Sequence, residues 1–163
     1  MYEIASDTNT NLKKEKEIGI MQDDTIKLLK ECNAGIKMGV STLDEVMEHV
    51  KDEKLRDLLA KSKETHTELG NTTHEYLNEF HDDGKEPAMM AKVMSWMKTN
   101  VMLGGDDSDN KIADLITEGC NMGVKNLYKY LNQYPAAEEK IKKLAKDVAK
   151  AEETLVTDLR AYL

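Results

Sequence analysis

Apolar residues recur every three or four positions along most of this chain, and this periodicity constrains its fold more than any other feature. Two of the stripes are Ile26, Leu29, Ile36, Val40, Leu43, Met47 and Val50, and Ile141, Leu144, Val148, Leu155, Leu159 and Tyr162. Such spacing places side chains on one face of an α-helix, whereas a strand requires alternation. Only two prolines interrupt the 163 residues, and aromatic residues, which favour strands, make up 5%. The chain is therefore predicted to be all-α and to form one domain.

Turn and cap residues divide the chain into a tail and five helices. We predict a loose N-terminal tail over residues 1–21 and a helical bundle over 22–163, with helices at about 23–50, 53–81, 87–103, 108–133 and 135–163. Asp52 is a suitable N-cap for the second helix, Asp82-Asp83-Gly84 ends it, and Pro135 is expected to start the fifth. Long helices joined by short turns fold back on each other. We therefore expect a four-helix bundle of two antiparallel hairpins, with the short third helix in the crossover.

The two hairpins are related in sequence. Cys32-Asn33-Ala34-Gly35 matches Cys120-Asn121-Met122-Gly123, 88 positions later, and a second block in each hairpin matches at an offset of 86. We interpret the matches as an internal repeat. The repeat pairs Gly35 with Gly123 in mid-helix, where glycine is less favourable than alanine by about 1 kcal/mol. The pair is expected to mark close packing of helices or, alternatively, a notch for a small ligand.

Four polar residues interrupt the apolar stripes: Asn33, His66, Asn121 and Glu152. The repeat pairs Asn33 with Asn121 and His66 with Glu152, so all four are expected at one level of the bundle. Because buried polar groups need partners, they should form either a hydrogen-bonded layer that fixes helix register or a metal or ligand site. His66 and Glu152 are the candidate ligands for iron or manganese. However, the chain has no Glu-x-x-His motif of the kind used by di-iron centres.

Charge and cysteine content limit the function classes. A net charge of -8, with lysines interspersed among acidic residues, disfavours nucleic-acid binding, which requires a basic face. We expect no signal peptide and no transmembrane segment, and we expect a cytoplasmic protein whose Cys32 and Cys120 are free thiols. No catalytic motif is found, so no catalytic residue is predicted. The third helix, with Trp96 and five methionines, is expected to pack across the bundle or to contact a second copy (a homodimer) or another protein.

Two similar hairpins with a helix-bearing crossover resemble the ferritin-like bundle. Nearly all of the chain beyond the tail resembles, more narrowly, a family of uncharacterised bacterial ferritin-like domains (a domain of unknown function). The resemblance is carried by the run from Ile26 to Gly35, the crossover with Trp96, and Cys120-Asn121-Met122-Gly123. Ferritin-like relatives often bind two metal ions and use oxygen or peroxide, but asparagines stand here about where such proteins carry carboxylates. The predicted function is a bacterial non-enzymatic binding or interaction protein without a standard di-iron centre. The alternative is a metal-binding protein or an oxidoreductase with an atypical site in the core.

Overall fold

The computed structural model describes residues 3–84 and 108–163. Within these ranges the α-helices are α1 (Glu3–Met47), α2 (Glu53–Glu79), α3 (Ser108–Gln133) and α4 (Glu139–Leu159), and a 3₁₀ turn follows at Arg160–Tyr162. The described part of the chain contains helices and no strand, which confirms the all-α prediction. The predicted third helix at 87–103, with Trp96 and its methionines, lies outside the described residues. Partner binding through that helix therefore stays a prediction.

Hydrogen bonds at the turns set the directions of the helices. Asp109, at the start of α3, accepts hydrogen bonds from the backbone N–H groups of Lys51 and Asp52 in the α1–α2 turn, both at 2.8 Å. At the opposite end, Asp24 and Thr25 of α1 accept hydrogen bonds from the backbone of the α3–α4 turn, at 3.0 and 2.9 Å. α1 and α2 form one antiparallel hairpin, and α3 and α4 form the other. α3 consequently runs antiparallel to α1 and parallel to α2.

The apolar faces of the helices meet in a core that is divided into two parts. The part near the α1–α2 turn includes Leu43, Val46, Leu55, Leu59, Ile112, Leu155 and Leu159. The part near the α3–α4 turn includes Leu28, Leu29, Leu77, Ile141, Leu144 and Val148. Between them, at about residue 39 of α1, 66 of α2, 123 of α3 and 152 of α4, the bundle contains glycines and polar side chains.

The helix boundaries differ from the prediction most at the N-terminus. Residues 3–21, predicted as a loose tail, belong to α1, so this prediction was wrong. No proline interrupts the segment, and a helix that is already nucleated in a bundle gains one hydrogen bond for each residue added. Residues 8–20 are exposed, so the extension continues the helix without contributing to the core.

The starts of α2 and α4 also differ in how closely they match the prediction. Asp52 caps α2 as predicted, since the Leu55 N–H donates to its carboxylate at 2.9 Å. The last helix begins at Glu139 rather than Pro135, because residues 134–138 form the turn that lets α4 fold back on α3. A hydrogen bond from Ala137 N–H to the Tyr134 carbonyl, at 3.2 Å, closes this turn.

Within the two described ranges, no helix is long and apolar enough to cross a lipid bilayer.

Candidate functional site

A cavity of about 340 Å³ lies between α1 and α3, at the level where the core divides. Its volume is at the lower end of the range for ligand pockets, roughly 300–1,000 Å³. Exposed residues at its mouth include Gly35 on α1, and Gly119 and Met122 on α3. His66 from α2 and Glu152 from α4 complete the lining from the other side of the bundle. The cavity therefore brings together residues of all four helices.

Four glycines shape the walls of this cavity. A Cβ added at Gly35 or Gly119 would meet no described atom within 4 Å, so both positions border open space within the described part of the chain. A Cβ at Gly39 would come within 3.3 Å of His66 Cδ2, and one at Gly123 would overlap the Glu152 carboxyl group. The expectation of close helix packing at the paired glycines was therefore wrong. Gly35 borders empty volume, and Gly123 makes room for a side chain rather than for a neighbouring helix.

Glu152 has a buried carboxyl oxygen without a hydrogen-bond partner among the described residues. Its side chain lies against Gly123 and is only 7% exposed, and its Oε2 atom has no hydrogen-bond partner in the described part of the chain. Burial raises the pKa of this carboxyl to about 8, because the charged form loses its hydration. Glu152 is consequently protonated at neutral pH over most of the population, and it presents an O–H donor at the cavity.

His66 is the second buried polar side chain of the cavity, with 2% exposure. Its Nδ1 lies 2.8 Å from the backbone carbonyl of Ser62. Since a carbonyl only accepts, Nδ1 carries the proton, and Nε2 is left as an acceptor on the side of Gly39. Burial lowers the pKa of His66, although the Ser62 hydrogen bond partly opposes the shift. The imidazole is therefore neutral, and it offers one lone pair.

The two asparagines do not join His66 and Glu152. Asn33 is buried, but its amide lies against Gly84, beyond the end of α2. Asn121 is exposed on α3. Successive residues of a helix point roughly 100° apart, so Asn121 turns outward when its neighbour Cys120 faces the core. The prediction of one layer of four polar residues was wrong. Of the four, His66 and Glu152 line the cavity, and the two asparagines do not.

The charge around the cavity is acidic. Glu31 of α1 and Glu118 of α3 line it together with Glu152, and no lysine or arginine is found among the described residues of the lining. Cys120 also lines it, while Cys32 is buried nearby. Both cysteines are free, as predicted, and burial raises the pKa of each thiol to about 12. The thiols are therefore un-ionised and poor nucleophiles.

The donor set does not fit the di-metal centre that a ferritin-like resemblance implies. Over residues 3–84 and 108–163, no three side chains from His, Cys, Asp and Glu are close enough to share a metal ion. The cavity supplies the two candidate metal ligands, His66 and Glu152, of which Glu152 is protonated. A carboxylate-bridged centre requires several carboxylates and two Glu-x-x-His pairs.

Sequence reasoning did not identify the two glycines that complete the walls, Gly39 and Gly119. A signal was nonetheless present, because Gly35 and Gly39 are four residues apart on α1, and Gly119 and Gly123 are four apart on α3. Such spacing places both glycines of a pair on one helix face.

No family model, curated protein or solved structure matches this chain. His66 and Glu152 offer one nitrogen acceptor and one O–H donor, and the cavity lining also includes polar side chains such as Thr42, Asn126 and Tyr130.

Proposed function

We propose that this protein is a non-enzymatic bundle that binds a small molecule in the cavity between α1 and α3. The observation that carries the proposal is the Glu152 carboxyl group, which faces a cavity of about 340 Å³ and has no partner for Oε2 among the described residues. A buried polar atom without a hydrogen bond costs about 1–3 kcal/mol. Because Glu152 lines the cavity, a ligand held there with a complementary group would pair with this carboxyl group and offset part of that cost.

The glycines support the same proposal on energetic grounds. Glycine inside a helix is less favourable than alanine by about 1 kcal/mol. Alanine would fit at Gly35 and Gly119 without a clash, so packing does not require glycine at either position. The two residues lower helix stability and, among the described residues, keep the mouth of the cavity wide, as a binding site requires.

We further propose that the bundle has the ferritin-like arrangement without its metal chemistry. Two observations support this arrangement. α3, in the second hairpin, runs parallel to α2 in the first. In addition, α1 contacts α3, and α2 contacts α4. In di-iron bundles the cofactor sits between facing helices, and a cavity between α1 and α3 that His66 and Glu152 also line supports this comparison. Because the described residues lack a di-metal ligand set, we propose that this cavity holds an organic ligand instead.

Ligand-observed NMR on a fragment panel of small aromatic amines, alcohols and amides tests the proposal. We expect fragments that bind the wild type with millimolar affinity or better and that lose binding in the double variant Gly35→Leu, Gly119→Leu, whose new side chains narrow the mouth. Gly19→Leu is the matched control, because Gly19 is an exposed helical glycine of α1 outside the bundle. Fragment binding that is absent in the wild type, or unchanged in the double variant, would overturn the proposal.

A further inference from the structure

The described side chains that line the cavity are acidic, neutral or apolar. Glu31, Glu118 and Glu152 are the acidic residues of its lining, and the described lining contains no basic side chain apart from the neutral His66. The whole chain has a net charge of -8. An anionic ligand would have to leave water for a site whose described lining supplies no basic side chain, which is strongly unfavourable.

We propose that the ligand is a small organic cation, an amine or quaternary ammonium compound with an apolar body, whose charged head pairs with the Glu152 carboxylate. This inference rests on the proposed function and specifies its ligand class. The apolar body would lie along the wall formed by residues such as Leu43, Ile116 and Leu155. The head group would approach the Glu152 carboxyl group from the cavity that this residue lines.

Binding of a cation requires that Glu152 lose its proton. The O–H bond breaks, the proton passes to solvent, and the carboxylate forms an ion pair with the ligand head, so charge and atoms balance. A cation and a buried carboxylate stabilise each other only as a pair, since either alone lacks compensation for its lost hydration. The pairing of the two is what gives the site a preference for cations over neutral molecules of the same shape.

Proton release makes the affinity depend on pH. Burial raises the pKa of Glu152 to about 8 in the free protein, and the bound cation lowers it. Affinity should therefore rise by up to about tenfold for each pH unit from pH 6 to pH 8, and level off above it. The other titratable groups lining the cavity are Glu31 of α1, His66 of α2, and Glu118, Cys120 and Tyr130 of α3.

Two probes of nearly equal size and shape separate the contribution of charge from that of apolar contact. 1-Naphthylmethylamine is a cation at pH 8, whereas 1-naphthalenemethanol is neutral. Titration calorimetry at pH 8 should show that the wild type binds the amine at least tenfold more tightly than the alcohol. Glu152→Gln, in which an amide replaces the protonated acid of similar shape, should lose this preference. Glu153→Gln, which changes a neighbouring exposed carboxylate, should keep it.

The outcomes distinguish the ligand class from the proposed function. If the alcohol binds as tightly as the amine, the cation proposal is overturned and the binding cavity stands. If neither probe binds, both are overturned. A preference for the amine that persists in Glu152→Gln overturns the role of Glu152. Should that variant fail to fold, the wild type alone decides, since amine affinity must fall between pH 8 and pH 6 while alcohol affinity stays constant.

Discussion

Replacement of Glu152 by glutamine should change how the stability of the protein depends on pH. Burial raises the pKa of this carboxyl from 4.5 to about 8, so between these values the folded state holds a proton that the unfolded chain has released. Stability falls with rising pH wherever the native state binds the extra proton. The contribution of Glu152 is therefore fully favourable below pH 4.5 and is lost as the pH rises toward 8.

The size of this effect follows from the linkage relation. One proton difference corresponds to about 1.4 kcal/mol for each pH unit, and hence to about 3 kcal/mol between pH 5 and pH 7 as an upper limit. His66 has the opposite sign, since its lowered pKa makes stability rise with pH below its ordinary value of 6.5. Both proteins keep His66, so its contribution cancels in their difference.

Urea unfolding followed by circular dichroism at pH 5, 6, 7 and 8 measures this difference. The wild type and Glu152→Gln should have similar free energies of unfolding at pH 5, where both groups are neutral. The variant should become progressively more stable than the wild type as the pH rises. Glu153→Gln serves as the control, because it alters an exposed carboxylate and should follow the wild type. A constant difference between wild type and Glu152→Gln from pH 5 to pH 8 would refute the reasoning.

Further predictions concern the cavity walls, the turn contact and the thiols. Gly35→Ala should raise the free energy of unfolding by about 1 kcal/mol, whereas Gly123→Ala should lower it, because its Cβ overlaps a buried carboxyl group; equal effects in urea unfolding would contradict this. Asp109→Ala should destabilise the protein by about 1–2 kcal/mol, since two backbone N–H groups lose their acceptor; an unchanged Tm would count against it. Cys32 and Cys120 should react slowly with Ellman's reagent at pH 8 and rapidly in urea, because burial raises the pKa of both thiols to about 12. Rapid labelling of the native protein would show that the thiols are accessible.

The helices were predictable because their signals are local. The Asp52 cap and the three-and-four spacing of apolar residues depend only on neighbours in sequence, and the structure has helices where these signals lie within its described ranges. The extension of α1 through residues 3–21 was missed, since its polar sequence gives no apolar stripe. Helix propagation from a packed bundle accounts for it, and this depends on tertiary structure rather than on the segment itself.

The candidate site was predictable only in part, for a different reason. His66 and Glu152 interrupt apolar stripes, and a polar residue on a buried face is visible in the sequence. Asn121 was placed with them by the repeat, but equivalence in a repeat does not fix which way a side chain faces when the two helices have different neighbours. The cavity itself was not predictable, because a stripe indicates which face is buried and not how far apart two facing helices lie.

Several residues at the level where the core divides lower the stability of the bundle. Gly35 and Gly119 forgo helix propensity, and their missing side chains leave space that alanine could occupy without a clash. Glu152 is buried without a partner for Oε2 among the described residues, and the neighbouring core clusters show that the same helices pack well above and below it. A single defect could be an accident of packing, but open glycines and an unpaired acid that border one cavity share one explanation. A ligand would fill the cavity and pair with the Glu152 carboxyl group. Variants whose side chains fill this cavity should therefore gain stability in the same measure as they lose binding.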